Sequence, residues 1–247
     1  MPAEDIRAHL EALADPSYQA FQSKLLPTVD PARVLGVRMP ALRRYAKQLL
    51  RDAPDAAMAF LETLPHETYD EDMLHGVLLN ELQDYDACVA ALDAFLPHVD
   101  NWAVCDVLAP RAFASHPAGL VAQARSWMAS AHPFARRFGV GVLMRGYLGE
   151  YFEPVYLQFV ADVVPFVDAC RHSLVPAPAS GDYYVRMMVA WFFAEALARQ
   201  WDETALYLEQ CRLDPWTQAK ALQKAIESRK LSPEQKDYVR SLRASRG

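Results

Sequence analysis

The sequence predicts an all-α fold, and three observations carry that expectation. Apolar residues recur at three- and four-residue spacing in "YDACVAALDAFL", "AGLVAQARSWMAS", "FARRFGVGVLMRGYL" and "YVRMMVAWFFAEALA", as one face of a helix requires. Alternation of the kind that marks strands is scarce. The 17 prolines stand mostly at segment junctions, among them Pro54, Pro65, Pro97, Pro117, Pro133, Pro215 and Pro233. Proline in a first turn costs no hydrogen bond, whereas proline inside a helix breaks one.

The elements follow from these signals in order. "DPSYQAF", "HPAGLVA", "DPWTQAK" and "SPEQKDY" read as helix starts with a cap and a first-turn proline. Pro27 and Pro31 interrupt what would otherwise be one continuous N-terminal helix. Ten to twelve helices of roughly 10 to 17 residues are expected. Four segments open with a short turn and an aromatic: "DNWAVCD", "HPFARRF", "DYYVRMM" and "DPWTQAK". Their aromatics, Trp102, Phe134, Tyr184 and Trp216, are separated by 32, 50 and 32 residues. Such periods in a helical chain predict stacked helix pairs, a single α-solenoid of HEAT-like repeats over residues 1–247. The stretch "RHSLVPAPASGD" explains the longer gap as a loop insertion at about 171–181. A compact irregular helical bundle is the alternative. In a solenoid, the second helices of the pairs line a concave face.

With 247 residues the chain can bury a sizeable core. Half the residues are apolar (52%) and no run is long enough to cross a membrane, so no membrane partner is expected. The polar, acidic start "MPAEDIRAHL" has no targeting pattern, which makes the cytoplasm the expected location. Cys88, Cys105, Cys170 and Cys211 form no CxxC and read as buried free thiols. The histidines form no HExxH or HxH, so neither metal nor cofactor is expected.

A net charge of −6 argues against nucleic acid until its distribution is considered. Residues 33–51 carry Arg33, Arg38, Arg43, Arg44, Lys47 and Arg51 with no acid, and 111–145 are also basic. From Lys220 onward eight basic residues face three acids. Lys and Arg are absent between Asp52 and Pro110, where Asp70, Glu71, Asp72, Asp84 and Asp86 recur. Segregation of this kind can build a basic face on an acidic protein, though solvated helix faces would read the same way. Arg136, Arg137, Arg186, Lys220 and Lys224, with Trp102, Asp106 and Trp191, fall on the helices expected to line the concave face. Arginines and tryptophans gathered there suit a phosphate backbone.

In "DNWAVCD", Trp102 and Asp106 are four residues apart and share one helix face. A carboxylate beside an aromatic wall can stabilise a developing sugar cation and orient or deprotonate a water. The aromatic face attracts a passing cation. Core packing and a structural hydrogen bond remain the plainer readings, and Trp191 in "MMVAWFFAEAL" also fits a core position. Asp100 reads as an N-cap. Cys105 has no nearby histidine to activate it and points away from Asp106 by one residue. "GVG" at 139–141 sits within a helical pattern and reads as close helix packing rather than a phosphate loop.

"VLGVRMPALRRYAKQLL", "FLPHVDNWAVCDVLAP", "FARRFGVGVLM", "DYYVRMMVAWFFAEALA" and "TQAKALQKAIES" resemble the HEAT-like DNA alkylation repair family, the AlkD type of DNA glycosylase, from about residue 16 to 243. The resemblance implies excision of N3- and N7-alkylated purines from double-stranded DNA by a monomer. Such bases already carry a positive charge and leave without a general acid, which suits a site with one carboxylate. The resemblance also implies that Trp102 and Trp191 flank the deoxyribose of the lesion. Asp106 then stabilises the sugar cation and positions water, while Arg137, or its neighbour Arg136, holds DNA near the lesion. Arg38, Arg43, Arg186, Lys220 and Lys224 are expected as further DNA contacts. The N-terminal segment "QSKLLPTVDPARVLGVR" matches the family more loosely and suggests a divergent branch. The alternatives are a non-catalytic member that binds damaged or branched DNA and a HEAT-type protein-interaction scaffold.

Overall fold

A computed structural model describes residues 3–115, 117–164 and 177–244. Fourteen α-helices are found among them, of 6 to 19 residues, and there is no strand beyond one isolated bridge between Ala14 and Val37. The helix count exceeds the ten to twelve expected from sequence. Helices such as Trp102–Val107, with 6 residues, span under two turns and leave no readable period. The chain divides into two compact units, Met1–His116 and Pro117–Gly247.

The first unit holds α1 (Ala3–Ala12), α2 (Pro16–Leu25), α3 (Met39–Asp52), α4 (Pro54–Glu62), α5 (Tyr69–Leu79), α6 (Tyr85–Phe95) and α7 (Trp102–Val107). Helix α5 is its axis: every residue of it is buried, and α1, α3, α4, α6 and α7 all pack on it. A helix apolar on all sides has to lie inside. Its first turn nevertheless carries Asp70, Glu71 and Asp72, and each is provided for. Asp70 accepts the backbone N–H groups of Leu35, Gly36 and Val37. Glu71 closes a capping box with Thr68 and takes the guanidinium of Arg7. Asp72 meets Arg33 at 3.1 Å, and burial pushes its carboxyl up to about 8 against the pull of that arginine. Three acids of the acidic block are therefore interior structure, whereas Asp84 and Asp86 are exposed.

The second unit holds α8 (Pro117–Met128), α9 (Pro133–Gly146), α10 (Val155–Ala161), α11 (Gly181–Arg199), α12 (Trp201–Glu209), α13 (Pro215–Glu227) and α14 (Pro233–Ala244). Here α11 is central: α9 and α13 flank it, α8 pairs with α9, and α14 packs on α13. The expected starts hold. Asp15 caps α2 and Asp214 caps α13, each followed by a first-turn proline. Pro117 and Pro233 open α8 and α14. The close packing expected at "GVG" is found at Gly139, where a Cβ would meet Ala124 O at 2.7 Å and Met128 N at 2.9 Å.

The insertion expected at about 171–181 lies mostly outside the described residues. Ala177–Ser180 form a turn, Ser180 caps α11, and Gly181 already belongs to that helix. Cys170 also lies outside them. Cys88 and Cys105 are buried free thiols, as expected, but Cys211 is exposed. It lies just past the end of α12 with φ of 54°, in the left-handed region common after a helix.

Candidate functional site

Helix α7 is short, and its start is fixed from three directions. Asn101, not Asp100, is its N-cap: the Asn101 carboxamide oxygen accepts from Val104 N at 3.0 Å. Asp100 is instead claimed by Arg33, whose guanidinium lies 2.5 Å from it and also reaches Asp72 and the carbonyl of Glu67. An Asp at that position serves as an ion-pair partner because a cap's geometry is met one residue later. The third anchor is Trp102 itself, whose indole N–H donates to the carbonyl of Leu25 at the end of α2, 3.0 Å away.

Within α7, Ala103, Val104 and Cys105 are buried, whereas Trp102 and Asp106 are half-buried. The helix thus divides as its spacing predicts. Its apolar residues enter the core, and the aromatic and the carboxylate one turn later share the partly open side. Cys105 faces inward, as read from its one-residue offset. Arg33, which the sequence grouped with the exposed basic run, is consumed by internal carboxylates, and no local signal marks it out. Arg38 is exposed, 2.9 Å from Asp15 and stacked over the Tyr18 ring at 4.9 Å. Arg43 is exposed on α3 beside Arg44 and Lys47.

In the second unit, Trp191 is 39% exposed, so the core alternative does not hold for it. Arg137 is buried and donates to the carbonyl of Tyr184 at 2.9 Å. Arg136 is half-buried, and its Nε has no hydrogen-bond partner among the described residues. Arg186 is buried between Asp182 at 2.7 Å and Asp214 at 2.5 Å, which commits its charge internally. Lys220 lies over the face of Trp216, 5.6 Å from its centroid, and Trp216 meets Tyr183 edge-on at 5.8 Å. Lys224 is half-buried. Burial lowers its pKa, the charge of Glu227 opposes that shift, and Arg137 and Lys220 add smaller contributions in the direction of burial. The aromatic pair of Tyr183 and Trp216 beneath Lys220 was not singled out as a site by sequence, because nothing local distinguishes it from core aromatics. No group of three or more metal-ligating side chains is found among the described residues.

Residues 6–147 match the family model described as DNA alkylation repair enzyme, a span that covers more than half of the chain. That span contains Arg38, Arg43, Trp102, Asp106, Arg136 and Arg137 and ends before Trp191. No curated protein matches the chain. The match over most of the first unit and into α9 establishes that the chain belongs to the DNA alkylation repair enzyme family.

Proposed function

We propose that the protein is a DNA repair glycosylase that excises cationic N3- and N7-alkylated purines from duplex DNA. The observation that carries this reading is the arrangement on α7. One carboxylate and one aromatic stand on the partly open side of a helix whose start is pinned by Arg33, Asn101 and the Leu25 carbonyl. A rigid support matters because a misplaced carboxylate stabilises a developing charge poorly.

In the proposed reaction the bond between C1′ and the purine nitrogen breaks, and its electron pair leaves with the cationic base, which departs neutral. The positive charge passes to the sugar, where Asp106 stabilises it. A water positioned by the same carboxylate adds to C1′ and gives its proton to Asp106, which releases it to solvent. No acid is required, because the alkyl group already supplies the leaving group's charge. Trp102 and Trp191 are assigned to flank the deoxyribose. Arg136, Arg137, Lys220, Lys224, Arg38 and Arg43 are assigned to the phosphates, and Arg186 acts by holding α11 to Asp214. The same proposal includes a monomer, a single solenoid of HEAT-like repeats whose concave face takes the DNA, and a cytoplasmic setting.

The test is release of free base from a duplex carrying N7-methylguanine, followed by chromatography. Release above the spontaneous rate is expected, falling roughly 100-fold or more in Asp106→Asn while DNA binding persists. Undiminished release in that variant overturns the role of Asp106. Lys220 and Lys224 on α13 are basic groups that favour DNA binding whether or not catalysis occurs. Salt-dependent binding with no release would therefore select the non-catalytic reading.

A further inference from the structure

Helix α7 carries Asp106, yet at 6 residues it is too short to hold its own direction. The first four N–H groups of any helix lack partners within it, and here they make up most of the helix. The side chains that orient it from outside form one continuous relay. Asn101 is 1% exposed and caps α7 through its carboxamide oxygen, 3.0 Å from Val104 N. The amino group of the same carboxamide donates to Asp100 Oδ1 at 2.8 Å. The other oxygen of Asp100 accepts from Arg33 Nη1 at 2.5 Å. Arg33 Nη2 donates to Asp72 of α5 at 3.1 Å, and its Nε donates to the Glu67 carbonyl at 3.0 Å.

Each link constrains the next. An asparagine carboxamide can turn either its oxygen or its nitrogen toward a given neighbour. With the amino group held by Asp100, only the oxygen is left for Val104. Arg33 in turn serves three acceptors with three different nitrogens, which a planar guanidinium can do and a lysine ammonium cannot. One cation nevertheless faces two acids. The Asp72 side chain is 4% exposed and that of Asp100 is 37% exposed, so only Asp100 is free to turn toward water.

We propose that Arg33 is a positioning residue for base excision, which orients Asp106 through Asp100, Asn101 and the start of α7, and that Asp72 competes with Asp100 for its charge. The effect on rate rests on the glycosylase reading above, whereas the hold on α7 does not. Burial keeps the Asp72 carboxyl protonated up to about 8, and in that state Arg33 belongs to Asp100. Once Asp72 ionises, the guanidinium is shared between two carboxylates that repel one another. Asp100 then withdraws, and the Asn101 amide loses the acceptor that fixes it. Excision should decline as pH rises through about 8. The charges acting on Asp72 are Arg33 from the loop before α3, Asp100 from the turn before α7 and Glu71 from α5, the last paired with Arg7 of α1. None from α3, α4, α6 or α7 acts on it among the described residues. Tyr69 beside it stays neutral because burial raises its pKa.

The experiment uses the full-length protein, Arg33→Lys and Asp72→Asn. Base release from an N7-methylguanine duplex is measured at saturating protein from pH ~6 to ~9.5 and corrected for spontaneous loss. The Kd for DNA and hydrogen exchange of the Val104 amide in the free protein are measured beside it. Arg33→Lys keeps the charge, and its maximal rate should fall roughly tenfold or more with Kd unchanged and Val104 exchange faster. In the parent protein release should fall, and Val104 exchange rise beyond hydroxide catalysis, as pH passes about 8, and both changes should vanish in Asp72→Asn. Should Arg33→Lys fail to fold, Asp72→Asn carries the test, because an alkaline fall that persists in it overturns the proposal. A weaker Kd with an unchanged maximal rate in Arg33→Lys makes Arg33 a phosphate contact and also overturns it. Unchanged rate and exchange in Arg33→Lys, with Asp106→Asn inactive, overturns it and leaves the glycosylase reading standing. No release by the parent at any pH, with Val104 exchange responding as described, overturns the glycosylase reading while the relay to α7 stands.

Discussion

Removing the carboxylate of Asp70 should destabilise the first unit by about 3 kcal/mol. Asp70 is 1% exposed at the start of α5. Its Oδ2 accepts Leu35 N at 2.6 Å and Gly36 N at 3.3 Å, and its Oδ1 accepts Val37 N at 2.7 Å. The loop it holds is gripped from the other side by α2. Gly36 has φ of 87°, and a Cβ there would come within 2.6 Å of Asp15 O and 2.7 Å of Gln19 N, so the loop cannot turn to find new partners. In Asp70→Ala three N–H groups lose a charged acceptor, at about 1.5–3 kcal/mol each. Two effects oppose that loss. Burial raises the Asp70 pKa, so the carboxylate carries a desolvation cost that the variant relieves. The Leu35 N–H is only part-buried and can reach water. About 3 kcal/mol remains. Asp70→Asn keeps one acceptor oxygen but turns an N–H donor toward another donor, and should lose about 2 kcal/mol. The assay is urea unfolding followed by tryptophan fluorescence and far-UV dichroism, with the slope unchanged and the midpoint lowered. A loss below about 0.5 kcal/mol in Asp70→Ala would mean that the loop is held by something other than this carboxylate.

Two further outcomes concern stability. His66 and His75 are buried, 2.9 Å apart through Nε2 and Nδ1, and stacked on Phe60 and Phe95. Burial depresses their pKa values to about 4 and about 3. The unfolded chain therefore takes up protons that the folded one refuses. Stability should be intact above pH ~6.5 and fall as pH drops toward those values, and replacing the rings by Phe and Leu should flatten the profile of urea midpoint against pH. Gly139→Ala should cost about 1–3 kcal/mol, because its Cβ would strike backbone atoms of α8. Gly146→Ala, which has open space around it, should stay within about 0.5 kcal/mol by the same thermal or urea assay.

The sequence by itself determined the helical class, because a three- to four-residue apolar period and first-turn prolines act locally. It determined the starts of α2, α8, α13 and α14 for the same reason. It also determined that Trp102 and Asp106 share a helix side, since four-residue spacing fixes direction wherever the helix forms. The family was legible in motifs from about residue 16 to 243, and the family model matches residues 6–147. Only tertiary structure decided what each charge and each aromatic is for. Asp70, Glu71 and Asp72 read as surface charge but are buried against partners 30 or more residues away, and half-buried Arg33 is one of those partners. Trp191 read equally well as core and is exposed, while Phe21 and Leu25 face outward because glutamines, not leucines, hold α2 to the core. Periodicity reports which face of a helix is apolar, whereas burial depends on which neighbour covers that face, and that neighbour is set by contacts distant in sequence.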